Sequence, residues 1–491
     1  MQLPTFESLN IQAVAPLLAL LGWACALILV DVFLIKNKRA TAWLAALGIL
    51  GALALVILRF TSTGGEAESA FLGMLVVDGF ALFLQIVFLL AAFIGVLFSM
   101  DYLTRMHIQR GEYYTLLLFT TAGMMTMAMA ADLVMIFLSL ELLSIPLYVL
   151  AGFARPRQES EESAMKYFLL GAFASGFLVY GIAMVYGGVQ GTALSEILAA
   201  LQPGASPNPL VFIGLGLILV GLGFKVAAVP FHMWTPDVYH GAPTPVTGCM
   251  SVGAKAGGFA ALLRVLVLAF PALADQWGIA IEVIAGLTMV LGNVVAVSQT
   301  HIKRMLAYSS IAHAGYILVA VAATQRAGVA DEGASAALFY LLAYAFTNLG
   351  AFATVIALER DDGSGGLIDD FAGLGKARPV LAVVMTLFML SLIGIPPSAG
   401  MVGKWFIFRA AIHADLVALA IVGVITSVIS AFYYARVVLV MWMKEGEAAV
   451  SVRPALVVAL VVTALGTLAL GIYPTPFFDL AQRSLLMLVA G

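Results

Sequence analysis

Runs of about twenty apolar residues recur along the whole of this 491-residue chain, and no other feature constrains its fold as much. Coiled as an α-helix at about 1.5 Å per residue, such a run matches the hydrocarbon thickness of a bilayer. With 63% of residues hydrophobic and 10% charged, the chain lacks the polar surface a soluble globule of this size needs. The period-two alternation of a membrane β-barrel is absent. The sequence therefore predicts an all-α polytopic membrane protein, a single integral membrane domain over 1–491.

Hydropathy predicts about fourteen spans, at roughly 11–35, 40–60, 76–100, 113–130, 132–153, 164–187, 209–239, 244–270, 278–298, 304–323, 336–358, 380–411, 416–442 and 454–474, with a short amphipathic tail beyond. Loop charges test that count. With the N-terminus outside, fourteen Lys and Arg fall on the cytoplasmic side: Lys36, Lys38, Arg39, Arg105, Arg110, Arg155, Arg157, Lys303, Arg304, Arg360, Lys376, Arg378, Lys444 and Arg453. Arg59, Arg326, Arg409 and Arg483 fall on the other. This positive-inside bias favours an even number of spans with both termini outside. Residues 1–10 lack a basic n-region, so the first span is expected to act as an uncleaved insertion signal.

Little else in the sequence carries chemistry. The two cysteines, Cys25 and Cys249, lie in separate apolar segments and form no metal-binding or redox pattern. There is no P-loop, no dinucleotide fingerprint, no HExxH and no Ser/His/Asp grouping. The Gly- and Asp-rich connection near 360–378 is a linker, too short to be a catalytic domain. No cofactor and no metal is expected in this chain, and no basic tract suggests nucleic acid.

Two spans are interrupted. Pro230 breaks the seventh and Pro396–Pro397 the twelfth, because proline cannot donate to the carbonyl four residues back. SAMKYFLLGAFASGFLVYG (163–181) is weakly similar to SAALFYLLAYAFTNLGAFA (335–353), in the sixth and eleventh spans. The similar segments and the breaks are each five spans apart and so cross in opposite directions. Two inverted five-helix units follow, at 112–270 and 277–443. Chance likeness between apolar segments is an alternative for the alignment alone, but not for the matched breaks. Interrupted helices at matching places in inverted halves point to an ion pathway at mid-membrane.

Four ionisable residues sit inside spans, where insertion scales put the cost of a charge at about 2.5–3.5 kcal/mol. Glu141 lies in VMIFLSLELLSIPLYVLAG, ahead of Pro146. Lys225 lies one turn before the Pro230 break, where freed backbone must face protein or water. Lys255 sits among small residues in SVGAKAGGFAALLRV, and Lys404 follows Pro397 by seven residues. A buried carboxylate and lysine each change charge with their neighbours, as proton-transfer sites must. A static ion pair or a snorkelling lysine would use the same residue types. His232 and His313 could relay between the lysines, or simply pack. Asp132 and Lys166 stand near span ends and suit local pairing, and Arg264 and Arg436 could snorkel.

The segments ELLSIPLYVLAG, GFKVAAVPFHMWTPDVYHGAPTPV, HIKRMLAYSSIAHAGY and GIPPSAGMVGKW together resemble the antiporter-like proton-translocating subunits of respiratory complex I, over nearly the whole chain. Among the three large paralogues the resemblance is to the branch called N. Lys404 stands where a second branch usually has glutamate, and the chain stops soon after its fourteenth span, where the third continues into a long lateral helix. The resemblance implies that Glu141 and Lys225 pair in an input half-channel, that Lys255 connects, and that Lys404 serves the output side. It implies a non-redox subunit of NADH:quinone oxidoreductase, a translocase driven by quinone reduction elsewhere. NADH, FMN, iron–sulfur clusters and quinone would belong to partner subunits. The partners implied are other membrane chains of that complex, in a bacterial inner membrane. A subunit of a multisubunit sodium/proton antiporter or of a membrane-bound hydrogenase-type complex would use the same charged row, and sodium dependence would favour the antiporter. A purely structural scaffold leaves four charges at depth unexplained.

Overall fold

In lipid every backbone N–H and C=O must find its partner within the protein, so apolar segments coil into helices. The computed structural model describes residues 9–33, 38–201, 208–360, 364–484 and 486–487. Lys36 and residues 1–8, used above for orientation and leader, lie outside them. The first six spans are Ala15–Phe33, Lys38–Thr63, Gly79–Arg105, Glu112–Met129, Leu133–Ala151 and Gln158–Val189. The seventh is Pro209–Val226 resumed as Trp234–Gly241, and the eighth is Thr244–Ala269. The ninth to eleventh are Ala274–Val297, Ile302–Ala323 and Ala330–Leu358. The twelfth is Pro379–Ile393 resumed as Ala399–His413, and Val417–Met443 and Pro454–Ile472 complete the set. Twelve helices among the described residues are long and apolar enough to cross a membrane. The fourth span and the broken twelfth bring the passes to the fourteen that hydropathy predicts. The amphipathic tail is the helix Thr475–Arg483.

The order of burial explains the architecture. In the eighth, tenth and eleventh spans 94% of the best apolar window is buried, against 33% in the first, sixth and fourteenth. A few spans form a central wall and the rest screen it. Lys225, Lys255 and Lys404 lie on or against that wall, and Glu141 stands at the flank.

Three details differ from expectation. A two-stranded hairpin, Glu68–Ala70 with Leu75–Val77, precedes the third span. That span consequently starts at Gly79, with Asp78 as its N-cap accepting from Ala81 N, and not at 76. Three-residue strands are too short to show a period. The eighth span contains two π-helical turns, Met250–Ala254 and Arg264–Ala269, the first ending directly before Lys255. Thirdly, Arg264 does not snorkel. It is fully buried and paired with Asp78 at 2.7 Å, and its Nε donates to Ala128 O at 2.5 Å. A charge this deep requires a counter-charge. Asp78 supplies it while also accepting from Met487 N at 3.1 Å.

Candidate functional site

The seventh span ends at Val226, four residues ahead of Pro230. Ala227 takes a left-handed conformation, φ 62°, and its N–H and that of Ala228 turn back to Phe224 O and Gly223 O. In the unwound stretch Val229 N donates to Thr288 Oγ1 of the ninth span at 2.9 Å. The break is thus lined by protein, which makes it tolerable at depth. Lys225 is 2% exposed. Its ammonium leaves its own helix and donates to Ser144 Oγ at 2.8 Å and Tyr167 Oη at 3.2 Å, in the fifth and sixth spans.

Glu141 is half-buried on the flank of the bundle, between Leu138 and Ile145, which are exposed. Its carboxylate accepts from Ser175 Oγ at 2.5 Å. No ion pair within 4.0 Å joins it to Lys225. The link between them runs along the fifth span, where Ser144 lies about one turn beyond Glu141 on the same face.

Lys255 is 3% exposed and donates to Ser310 O at 2.6 Å and Ser310 Oγ at 2.5 Å in the tenth span. The eighth span can lie this close to the seventh because residue 258 is glycine. A Cβ there would stand 3.2 Å from Lys225 Cγ and 2.9 Å from Val226 Cγ1.

In the twelfth span the helix stops at Ile393, and Gly394 holds φ 95°, where a side chain would be strained. Pro396 and Pro397 remove the donors for Leu392 O and Ile393 O. Lys404, 5% exposed, takes both carbonyls, at 3.0 and 2.8 Å, together with Ser427 Oγ at 2.7 Å. The Tyr316 ring lies 4.7 Å from its ammonium.

Between Lys255 and Lys404 runs a train of polar side chains. Ser309, next to the serine that holds Lys255, lies 2.5 Å from Tyr434 Oη. Tyr434 contacts His313 Nε2 at 3.1 Å, and His313 Nδ1 contacts Tyr340 Oη at 2.6 Å. The Tyr433 ring abuts that of Tyr434, and Tyr433 Oη donates to Asn293 Oδ1 at 3.0 Å. Asn293 Nδ2 in turn reaches Tyr316 Oη at 3.2 Å, back beneath Lys404. His313 therefore sits inside a hydrogen-bonded network between the two lysines. His232 does not join it, and its Nδ1 is buried with no hydrogen-bond partner among the described residues.

The hydroxyl partners escaped the sequence reading. Ser309, His313 and Tyr316 do fall at i, i+4 and i+7, one helical face, and that spacing was a usable signal. The lesser charges pair locally. Asp132 caps the fifth span and accepts from Thr192, Lys166 bridges Glu162 and Asp237, and Arg436 donates to Val297 O and Gln299 O. On the cation-rich face a polar cavity of about 100 Å³ is lined by Arg157, His240, His301, Lys303 and Glu359 among others. Burial and the neighbouring His240, Lys303 and Arg304 push His301 down to about 3. Its ring is then neutral near pH 7 and accepts from Lys303 N at the start of the tenth span.

Residues 130–430 match the family model described as NADH:quinone oxidoreductase/Mrp antiporter, TM. The chain is 48% identical over 485 residues to the NADH-quinone oxidoreductase subunit N of Trichlorobacter lovleyi, covering 98% of each. It is 47% identical to the same-named protein of Chloroflexus aggregans, covering 99% of each. Among solved structures, a chain of the respiratory complex I from Thermus thermophilus with bound aureothin superposes with TM-score 0.81 at 36% identity, over 95% of this chain and 99% of that one. A chain of the Mrp complex from Dietzia sp. superposes with TM-score 0.84 at 21% identity, over 97% of both, a likeness of fold.

Proposed function

The chain belongs to the NADH:quinone oxidoreductase/Mrp antiporter transmembrane family, and from that premise we propose that it is the N-type proton-translocating membrane subunit of a bacterial NADH:quinone oxidoreductase. The observation that carries this reading is the row of ionisable side chains, Glu141 half-buried and Lys225, Lys255 and Lys404 buried, each on a different span and each held by groups that can exchange protons. The chain works beside other membrane subunits, in a bilayer, and performs no redox step itself. The oxidation of NADH and the reduction of quinone take place in partners. Both termini lie on the outer side and the cation-rich loops on the cytoplasmic side. Residues 112–270 and 277–443 act as two inverted units, one for uptake and one for release.

The mechanism is a charge switch. A charged Glu141 nearby favours the protonated form of Lys225, and its neutralisation or withdrawal favours release. The proton then passes to Lys255, along the Ser309–Tyr434–His313 side chains, and to Lys404, with Asn293 fixing the Tyr433 and Tyr316 hydroxyls beside the route. Moving one charge against 100 mV takes about 2.3 kcal/mol, so the row must be driven by the redox partners.

The test is Lys225→Ala in the whole complex, reconstituted in vesicles. NADH-driven proton pumping is expected to fall by about tenfold or more, the cost of removing a group that acts in every transfer. Pumping at the wild-type rate would overturn the reading.

A further inference from the structure

Trp234 is the first residue of the resumed half of the seventh span and is 1% exposed. Its indole Nε1 donates across the break to Phe224 O at 2.9 Å, the carbonyl one residue before Lys225. Its ring lies nearly parallel to that of Tyr167, 11° between planes and 4.7 Å between centroids. Tyr167 is fully buried and also packs T-shaped against Tyr148, 4.7 Å between centroids. The hydroxyl of Tyr167 is one of the two groups that hold the Lys225 ammonium.

A tyrosine hydroxyl lies in the plane of its ring, so whatever orients the ring aims the oxygen. Here the ring is oriented by a stack whose other member belongs to the far side of the break. The residues between the two halves form no helix, and the resumed half is held to neighbouring spans instead, by Lys166–Asp237 at 2.6 Å and Ser163 Oγ to Val238 O at 3.1 Å on the sixth and by Arg304–Asp237 at 2.8 Å on the tenth; the Trp234 stack and indole bond are what tie it to the surroundings of Lys225. Close packing transmits small displacements and does not absorb them. We propose that Tyr167 and Trp234 are positioning residues that work as one latch, making the hydrogen bonding of Lys225 depend on how the two halves of the broken seventh span are aligned. A movement of the resumed half would draw the Tyr167 hydroxyl off the ammonium, leaving Ser144 alone to hold it. At the second break the resumed half begins with Ala399, which has no ring to stack, and Trp405, next to Lys404, is 61% exposed. The latch rests on the reading of Lys225 as a proton-transfer residue.

The test is a double-mutant cycle in the whole complex in vesicles, reading the NADH-driven proton-pumping rate. Oxidation of NADH by a soluble artificial acceptor and co-purification of the membrane chains check assembly. Tyr167→Phe keeps the stack and removes the hydroxyl. Trp234→Leu removes the stack, and Trp234→Phe keeps a ring there. Each of Tyr167→Phe and Trp234→Leu is expected to lower pumping by about threefold to tenfold, as loss of one ordinary hydrogen bond does. The double variant is expected to be no slower than the slower single one, because both remove the same thing. Trp234→Phe should restore most of the rate, and neither change should matter further in a Lys225→Ala background. Losses that multiply, a wild-type rate for Tyr167→Phe, or further losses in the Lys225→Ala background would each overturn the latch. The two readings fail separately. Normal pumping by Lys225→Ala removes the functional reading. A pumping-dead Lys225→Ala alongside an unaffected Tyr167→Phe removes only the latch.

Discussion

In the seventh span the lysine stands before the break and reaches away from its own helix, to hydroxyls on the fifth and sixth spans. In the twelfth it stands after the break and turns back, onto the carbonyls the prolines set free. Both breaks leave backbone oxygens without their usual donors, but different groups answer for them. At the first an indole and a turn of chain do so, and the ammonium stays available to partners on other spans. At the second the ammonium itself is part of the helix end. A lysine held by side chains of neighbouring helices can be released when those helices shift. A lysine held by its own helix's carbonyls keeps its place, and can change its protonation only by giving up those bonds. The first arrangement suits a responsive site, and the second a fixed relay.

That contrast can be broken by experiment. The largest difference should come from replacing each lysine with methionine and melting the purified protein. Lys404→Met leaves Leu392 O buried and unpaired, at about 1–3 kcal/mol, and leaves Ile393 O with Ser427 Oγ as its remaining donor, at 3.1 Å. Lys225→Met leaves two hydroxyls, of which Ser144 already donates to Leu140 O, so its loss should be clearly smaller. Equal losses would remove the distinction. Next is Gly394→Ala, which puts a side chain at φ 95° with its Cβ 3.1 Å from Lys404 Cδ. A cost of about 1–2 kcal/mol is expected from the backbone alone, read as a drop in thermal midpoint together with slower pumping. A smaller change is expected from Ser175→Ala, which removes the hydroxyl held by Glu141. Pumping should fall by a few-fold while stability changes by about 1 kcal/mol or less. An unchanged pumping rate would mean that Ser175 does not tune the carboxylate. Smallest of all is Ala227→Gly at the first break. Relief of the left-handed conformation is offset by glycine's greater freedom in the unfolded chain, so stability should stay within about 0.5 kcal/mol. A large loss would mean that the Ala227 methyl itself is needed there.

Both breaks were legible in the sequence because proline has no N–H to give, whatever surrounds it. The deep charges were legible because lipid makes them costly. Their partners were not. Ser144, Tyr167 and Ser427 are ordinary residues of apolar helices until the neighbouring span is known. The resemblance pairs Glu141 with Lys225, and the structure adds that each is held by a serine, Ser175 and Ser144, with about a turn of helix between Glu141 and Ser144. The ion pair of Arg264 was hidden for a different reason. Asp78 falls at the edge of the predicted third span, 186 residues away, where an acid reads as a loop residue.

That ion pair also bears on how the chain is made. Asp78 leaves the ribosome long before Arg264, and the backbone N–H of Met487 that completes its shell comes last. Until both arrive, the carboxylate has, among the described residues, only the Ala81 N–H of its own helix to hold it out of water. The order of synthesis thus leaves this carboxylate without its counter-charge until the eighth span follows, and without its last donor until the segment beyond the fourteenth span does.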